Sequence, residues 1–118
     1  MADAGLFIGW SEVIPGREKK ALEVFNESLQ YYGELQKNGK IESFEVALLD
    51  PHGGELAGFI LIRGDGEKLA HLRIDREFQR RIIRAQLIVT KVGVVAAVIG
   101  NRLTEAMGDY AQEISAVS

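Results

Sequence analysis

The chain contains no cysteine. Disulfides, thiolate nucleophiles and cysteine-based metal sites are therefore excluded. It has only two histidines, His52 and His71. A zinc site usually needs three or more protein ligands, so no metal is expected. Positive charge is in deficit, with a net charge of -3. That balance exerts no long-range pull on nucleic acid or an anionic membrane, and neither is an expected partner. Long apolar runs are missing too. The longest, Val92 to Gly100, is too short to cross a bilayer. The opening MADAGLFIGW lacks a basic segment followed by a long apolar stretch. It does not read as a signal peptide, and a cytoplasmic location is expected. The glycine turns Gly53-Gly54 and Gly64-Asp65-Gly66 lack the spacing of a phosphate loop or a dinucleotide fingerprint. No cofactor is expected.

What remains is an ordinary globular composition in 118 residues. One domain over residues 1–118 is expected. A chain of this size can build one core without covalent staples. Leu6 to Val13 reads as a first strand, stopped by Pro15-Gly16. From Glu18 to Lys37 the residues Leu22, Phe25, Leu29 and Tyr32 form one helical stripe. Asn38-Gly39 ends that helix. The segments IESFEVALLD and ELAGFILIR flank Pro51-His52-Gly53-Gly54 and read as a hairpin. Its second strand, Leu56 to Ile62, is apolar on both faces. Glu67–Arg73 and Arg76–Arg84 read as two short helices, the second capped by Asp75. Leu87 to Ile99 reads as a long strand with a bulge or bend at Gly93. Asn101 to Ala116 reads as a last helix with Leu103, Met107, Tyr110 and Ile114 on one stripe. The order is β-α-β-β-α-β with an added C-terminal helix, a ferredoxin-like α+β fold with an antiparallel sheet. Its helices cover one sheet face. The other face, rich in apolar residues, predicts a second copy as cover. The C-terminal helix folding under the sheet is the competing cover.

The strand FIGWSEV, the helix start Pro15-Gly16-Arg17-Glu18, the hairpin IESFEVALLDPHGGELAGFILI and the strand LIVTKVGVVAAVIG carry a resemblance. Together they resemble the dimeric α+β barrel superfamily over nearly the whole chain. The resemblance implies a homodimer with two sheets back to back and a ligand cleft between sheet and helices. Members include cofactor-free monooxygenases, haem degraders and lactone isomerases. The placement of Trp10, His52 and His71 does not match the Asn, Trp and His set of the haem degraders, so no catalytic residue is carried over.

His71 is the candidate catalytic residue, a general base or an orienting group for a phenolic substrate. A solvent-facing helix residue is the alternative. Trp10 is the only tryptophan. It reads as an aromatic wall of a ligand cleft with Glu12 as a polar handle, or else as a packing anchor. Phe59 and Arg63, on the third strand, complete the ligand-binding candidates. His52 reads as a turn residue. Arg76, Arg80 and Arg84, four apart, share a helix face within a basic stretch that also holds Arg73 and Arg81. They could hold an anion or a negative partner, or form a solvated face with Glu77 paired to Arg80 or Arg81. Ala57-Gly58-Phe59 lacks the basic residue and further aromatics of an RNA-binding strand. Two functions follow. The first is a homodimeric binder of a small apolar or aromatic molecule. The second is a cofactor-free monooxygenase or isomerase on an aromatic or lactone substrate. The second gains if Trp10 and His71 line one apolar cavity and loses if both point to solvent or to the dimer seam.

Overall fold

Asp75 ends one helix and begins the next, and its local geometry illustrates how the chain is built. Its backbone is extended, with ψ 135, and its carboxylate accepts from the Phe78 N–H at 3.1 Å. Asp65 does the same one helix earlier, accepting from the Lys68 N–H at 3.1 Å. Both satisfy amide donors that a helix start leaves without partners. The computed structural model describes residues 3–118. In chain order the elements are β1 (Ala4–Trp10), α1 (Glu18–Lys37), β2 (Ser43–Leu48), β3 (Gly58–Gly64), α2 (Gly66–Ile74), α3 (Arg76–Gln86), β4 (Gly93–Ala97) and α4 (Gly100–Val117). The strands form one antiparallel sheet in the order β2-β3-β1-β4. This is the arrangement expected from the sequence, with the second helix divided at Asp75.

The register fixes which residues share a face. In the β1–β3 ladder Leu6 lies opposite Ile62 and Ile8 opposite Ile60. These four are buried, and with Tyr32, Leu35, Leu69, Leu72 and Phe78 they form the main core under the helices. A smaller cluster of Ala21, Ile88 and Val89 continues it beneath Trp10. Burying each large aliphatic side chain contributes about 1.5–3 kcal/mol, so this face dominates stability.

The opposite face is different. Along β3, Gly58, Ile60, Ile62 and Gly64 are buried, whereas Phe59, Leu61 and Arg63 are only partly covered. Within one chain β3 is therefore not buried on both faces. The uncovered side carries Phe7 stacked on Phe59 at 5.3 Å between ring centroids, with Leu61 and Val95 beside them. Arg63 pairs with Glu45 at 3.3 Å on the same side. Gly9 is required here, because a Cβ on it would lie 2.7 Å from the Phe7 ring.

Two strands depart from the sequence reading, and the competing cover of the sheet is not realised. The first strand begins at Ala4 and ends at Trp10, although Val13 still bridges Val89. The last strand shrinks to Gly93–Ala97. Lys91 adopts φ 53, a left-handed turn that interrupts the ladder between these two stretches. The C-terminal helix does not fold under the sheet. No residue of α4 is buried, and Leu103, Met107, Tyr110 and Ile114 are all exposed. The radius of gyration, 16.3 Å, reflects this projection. A compact chain of this length has about 13.5 Å.

Candidate functional site

A cleft of about 340 Å³ lies between the helical face of the sheet, α1 and α3. Strand alternation turns Ile8, Trp10 and Ile60 toward it, and α1 contributes Phe25, Ser28 and Tyr32 from one stripe. The floor is apolar. Trp10 meets Phe25 edge-on at 6.4 Å between centroids. Gly58 makes that position possible, since a Cβ there would lie 2.7 Å from the indole ring. Ala21 and Ala85 also line the cleft, and their small side chains leave it open.

A few polar groups converge on this apolar space. Tyr32 is 2% exposed, and its phenol has no hydrogen-bond partner among the described residues. Burial, with the neighbouring Tyr31 adding to it, pushes its pKa well above the usual phenol value. Tyr32 is thus a protonated donor at any physiological pH. Ser28 Oγ donates to the Val24 carbonyl at 2.8 Å, which leaves its own oxygen able to accept. Arg81 borders the cleft while pairing with Glu77 at 3.1 Å and with Glu27 at 3.7 Å. Its guanidinium also sits 5.1 Å from the Tyr31 ring centroid. The Tyr31 hydroxyl oxygen is covered and lacks a hydrogen-bond partner among the described residues. Burial first, then Asp75 and Glu77, push Tyr31 up to about 12, against the opposing pull of Arg81. An apolar box with one phenol donor, one hydroxyl, one cation at its edge and the Glu18 carboxylate among its lining suits a flat apolar molecule carrying an oxygen.

The sequence candidates do not gather at one point. Trp10 lines the cleft. Glu12 is exposed, lies outside the cleft lining and takes part in the β1 extension through its carbonyl, which accepts from Thr90 N–H at 2.8 Å. Phe59 and Arg63 point to the uncovered face of the sheet, because they alternate with Ile60 and Ile62. His71 is exposed on α2 and borders a separate depression with Lys40, Lys68 and Asp75. Trp10 and His71 therefore do not share a cavity. His52 is held in its turn, with Nδ1 accepting from the Gly54 N–H at 3.1 Å and Nε2 lying 2.9 Å from the Leu56 carbonyl. A carbonyl only accepts, so Nε2 carries the proton. In the basic stretch Glu77 pairs with Arg81, while Arg84 pairs with Glu27 at 2.9 Å. Ser28 is the site residue that sequence reasoning did not name, whereas Tyr32 entered only as part of a helical stripe and Arg81 only as part of the basic stretch. Ser28 is the available signal, a polar residue set between Phe25 and Tyr32 on an apolar stripe.

Among the described residues no group of three or more His, Asp or Glu could hold a metal ion. No helix among the described residues is long and apolar enough to cross a membrane. No family model and no curated protein matches the sequence. Solved structures do match. A dimeric ferredoxin-like protein of unknown function from Jannaschia sp. CCS1 is 11% identical, with a TM-score of 0.63 over 81% of this chain and 99% of its own. Another, from Bacteroides fragilis, is 12% identical, with a TM-score of 0.59 over 82% and 97%. The fold is ferredoxin-like. A variant of SnoaB, a cofactor-independent oxygenase from Streptomyces nogalater, shares this fold at 9% identity, with a TM-score of 0.59 over 83% and 94% of the two chains. At such identities the ferredoxin-like likeness is one of backbone, and it agrees with the resemblance read from the strands.

Proposed function

We propose that this ferredoxin-like protein is a homodimer that binds a small apolar or aromatic molecule in the cleft beside Trp10. The carrying observation is the apolar cleft between sheet and helices with the Tyr32 phenol buried at its wall. The dimeric reading draws support from the uncovered Phe7, Phe59, Leu61 and Val95 surface, which a second sheet would cover. The dimeric descriptions of two structural neighbours support it further. The absence of cysteine accords with a cytoplasmic setting.

Trp10 is the only tryptophan, so fluorescence excited selectively at tryptophan, away from the tyrosine band, reports the cleft. Titration with a panel of phenols and naphthols is expected to quench it saturably. Ala85→Phe fills the cleft and is expected to abolish the quench while the folded circular dichroism is retained. A quench that survives Ala85→Phe sinks the assignment. Native mass spectrometry of freshly purified protein identifies any retained ligand.

The second reading is a cofactor-free monooxygenase or isomerase. It is favoured by the likeness to SnoaB, described as a cofactor-independent oxygenase. Under it Tyr32 and Arg81 stabilise an anionic oxygen of the bound aromatic or lactone. Uptake of dissolved oxygen, or isomerised product, in the presence of a quenching ligand separates catalysis from binding alone.

A further inference from the structure

Tyr32 is 2% exposed, yet its hydroxyl has no hydrogen-bond partner among the described residues. A hydroxyl buried without a partner destabilises a core, and phenylalanine would fill the same space without that cost. Tyr31 beside it carries the one side-chain polar atom that is both unpartnered and fully covered among the described residues. The Tyr32 oxygen, equally unpartnered, is therefore not sealed off. Tyr32 borders the cleft beside Trp10 and none of the depressions around His71, Tyr31 or Arg80. Its O–H thus opens into that cleft.

A second polar atom faces the same space. Ser28 precedes Tyr32 by four residues on α1, so the two share one helix face and both line the cleft. Side chains on a helix lean toward its N-terminus, which carries the Tyr32 ring back over the turn that holds Ser28. Ser28 Oγ directs its proton to the Val24 carbonyl at 2.8 Å and offers its lone pairs to the cleft. A ligand oxygen placed here meets a donor on one side and an acceptor on the other. A hydroxyl answers both, whereas a ketone or an ether answers only the donor. An anionic oxygen finds no free cation. Arg81 already faces Glu77 at 3.1 Å and Glu27 at 3.7 Å, and Glu18 adds a further carboxylate to the lining.

We infer that Tyr32 and Ser28 set the specificity of the cleft and select an uncharged hydroxyl group carried on an apolar ring. The ligand hydroxyl accepts from the Tyr32 phenol and donates to Ser28 Oγ. This rests on the reading of the cleft as a binding site and names the class of ligand it takes. It also gives the Tyr32 hydroxyl the partner that its own chain withholds.

Calorimetric titration with 2-naphthol and 2-methylnaphthalene tests it. The two probes share one ring system and differ by a hydroxyl against a methyl of similar size. Comparing the ratio of their affinities between variants isolates the hydrogen bonds, because the cost of taking each probe out of water cancels. Tyr32→Phe is expected to lower the preference for 2-naphthol about tenfold, and Ser28→Ala to lower it by a similar factor. Tyr32→Phe keeps the ring, so the folded circular dichroism is expected to be retained. 2-Naphthoate, an anion, is expected to bind more weakly than 2-naphthol. A preference that either substitution leaves unmoved overturns the inference and leaves the cleft standing as a site for apolar molecules. So does a naphthoate that binds as tightly as the naphthol. Failure of both neutral probes to bind, or binding that survives Ala85→Phe, overturns the reading of the cleft itself.

Discussion

Tyr31 and Tyr32 stand side by side on α1, and their rings lie 5.2 Å apart between centroids. Burial raises the pKa of both, Tyr31 to about 12. An unfolded tyrosine ionises near 10. Below that pH neither state loses a proton, and stability is whole. Between the two values the unfolded chain ionises while the folded one cannot, so stability falls as pH rises. The urea midpoint is expected to hold from neutrality to about pH 10 and to drop through about pH 12. Tyr31→Phe removes the Tyr31 share of that drop, which a series of urea titrations across this range checks. At this scale Trp10 was legible in the sequence as a cleft-lining candidate, being the only tryptophan and set on a strand. The sheet face that Phe59 and Arg63 occupy was not legible. Both parities of β3 are apolar, Phe59 and Leu61 on one and Ile60 and Ile62 on the other. Alternation therefore carries no sign of which parity faces the helices. His71 fails as a partner of Trp10 for another reason. It sits on α2, which packs on the far side of the core with Leu69 and Leu72.

Among the elements, α2 and α3 meet at Asp75, whose backbone N–H closes α2 on the Leu72 carbonyl and whose side chain opens α3. Asp75→Ala removes the oxygen that receives the Phe78 N–H and is expected to cost about 1 kcal/mol. Asp75→Asn keeps an acceptor and is expected to lose a few tenths at most. Urea unfolding of the two variants, side by side, separates a capping role from a purely electrostatic one. This cap was readable from Asp75 placed ahead of an apolar periodicity. The end of the chain's last strand was less so. Leu87 to Ile99 is rich in β-branched residues, and nothing in that composition marks Lys91 as the residue that takes a left-handed conformation. Ahead of that turn Ile88 and Val89 stay paired with the extension of β1 and line the cleft. Part of the candidate site was therefore hidden by a backbone event that periodicity does not encode.

At the scale of the whole molecule, the uncovered sheet face is the dominant unresolved demand of the sequence. The order of elements and the excess of apolar residues made both the fold and that face legible. Sequence could not say that α4 leaves the face bare, because its stripe is equally suited to any apolar surface. Val95 is 53% exposed at the middle of β4. Val95→Lys places a charge where a second sheet is proposed to pack, at a cost of several kcal/mol unless the interface opens. Light scattering is expected to give twice the 13.0 kDa chain mass for the unaltered protein and a value near 13.0 kDa for the variant. A variant that keeps the doubled mass removes this face from the interface. The pairing order has a further consequence for how the chain is made. The first strand to be synthesised, β1, lies inside the sheet, with its two neighbours supplied by residues as distant as Gly64 and Ala97. During translation Leu6, Phe7 and Ile8 emerge long before either neighbour exists. Until β3 and then β4 leave the ribosome, this apolar strand has two unsatisfied edges, which makes nascent-chain chaperones its natural first company.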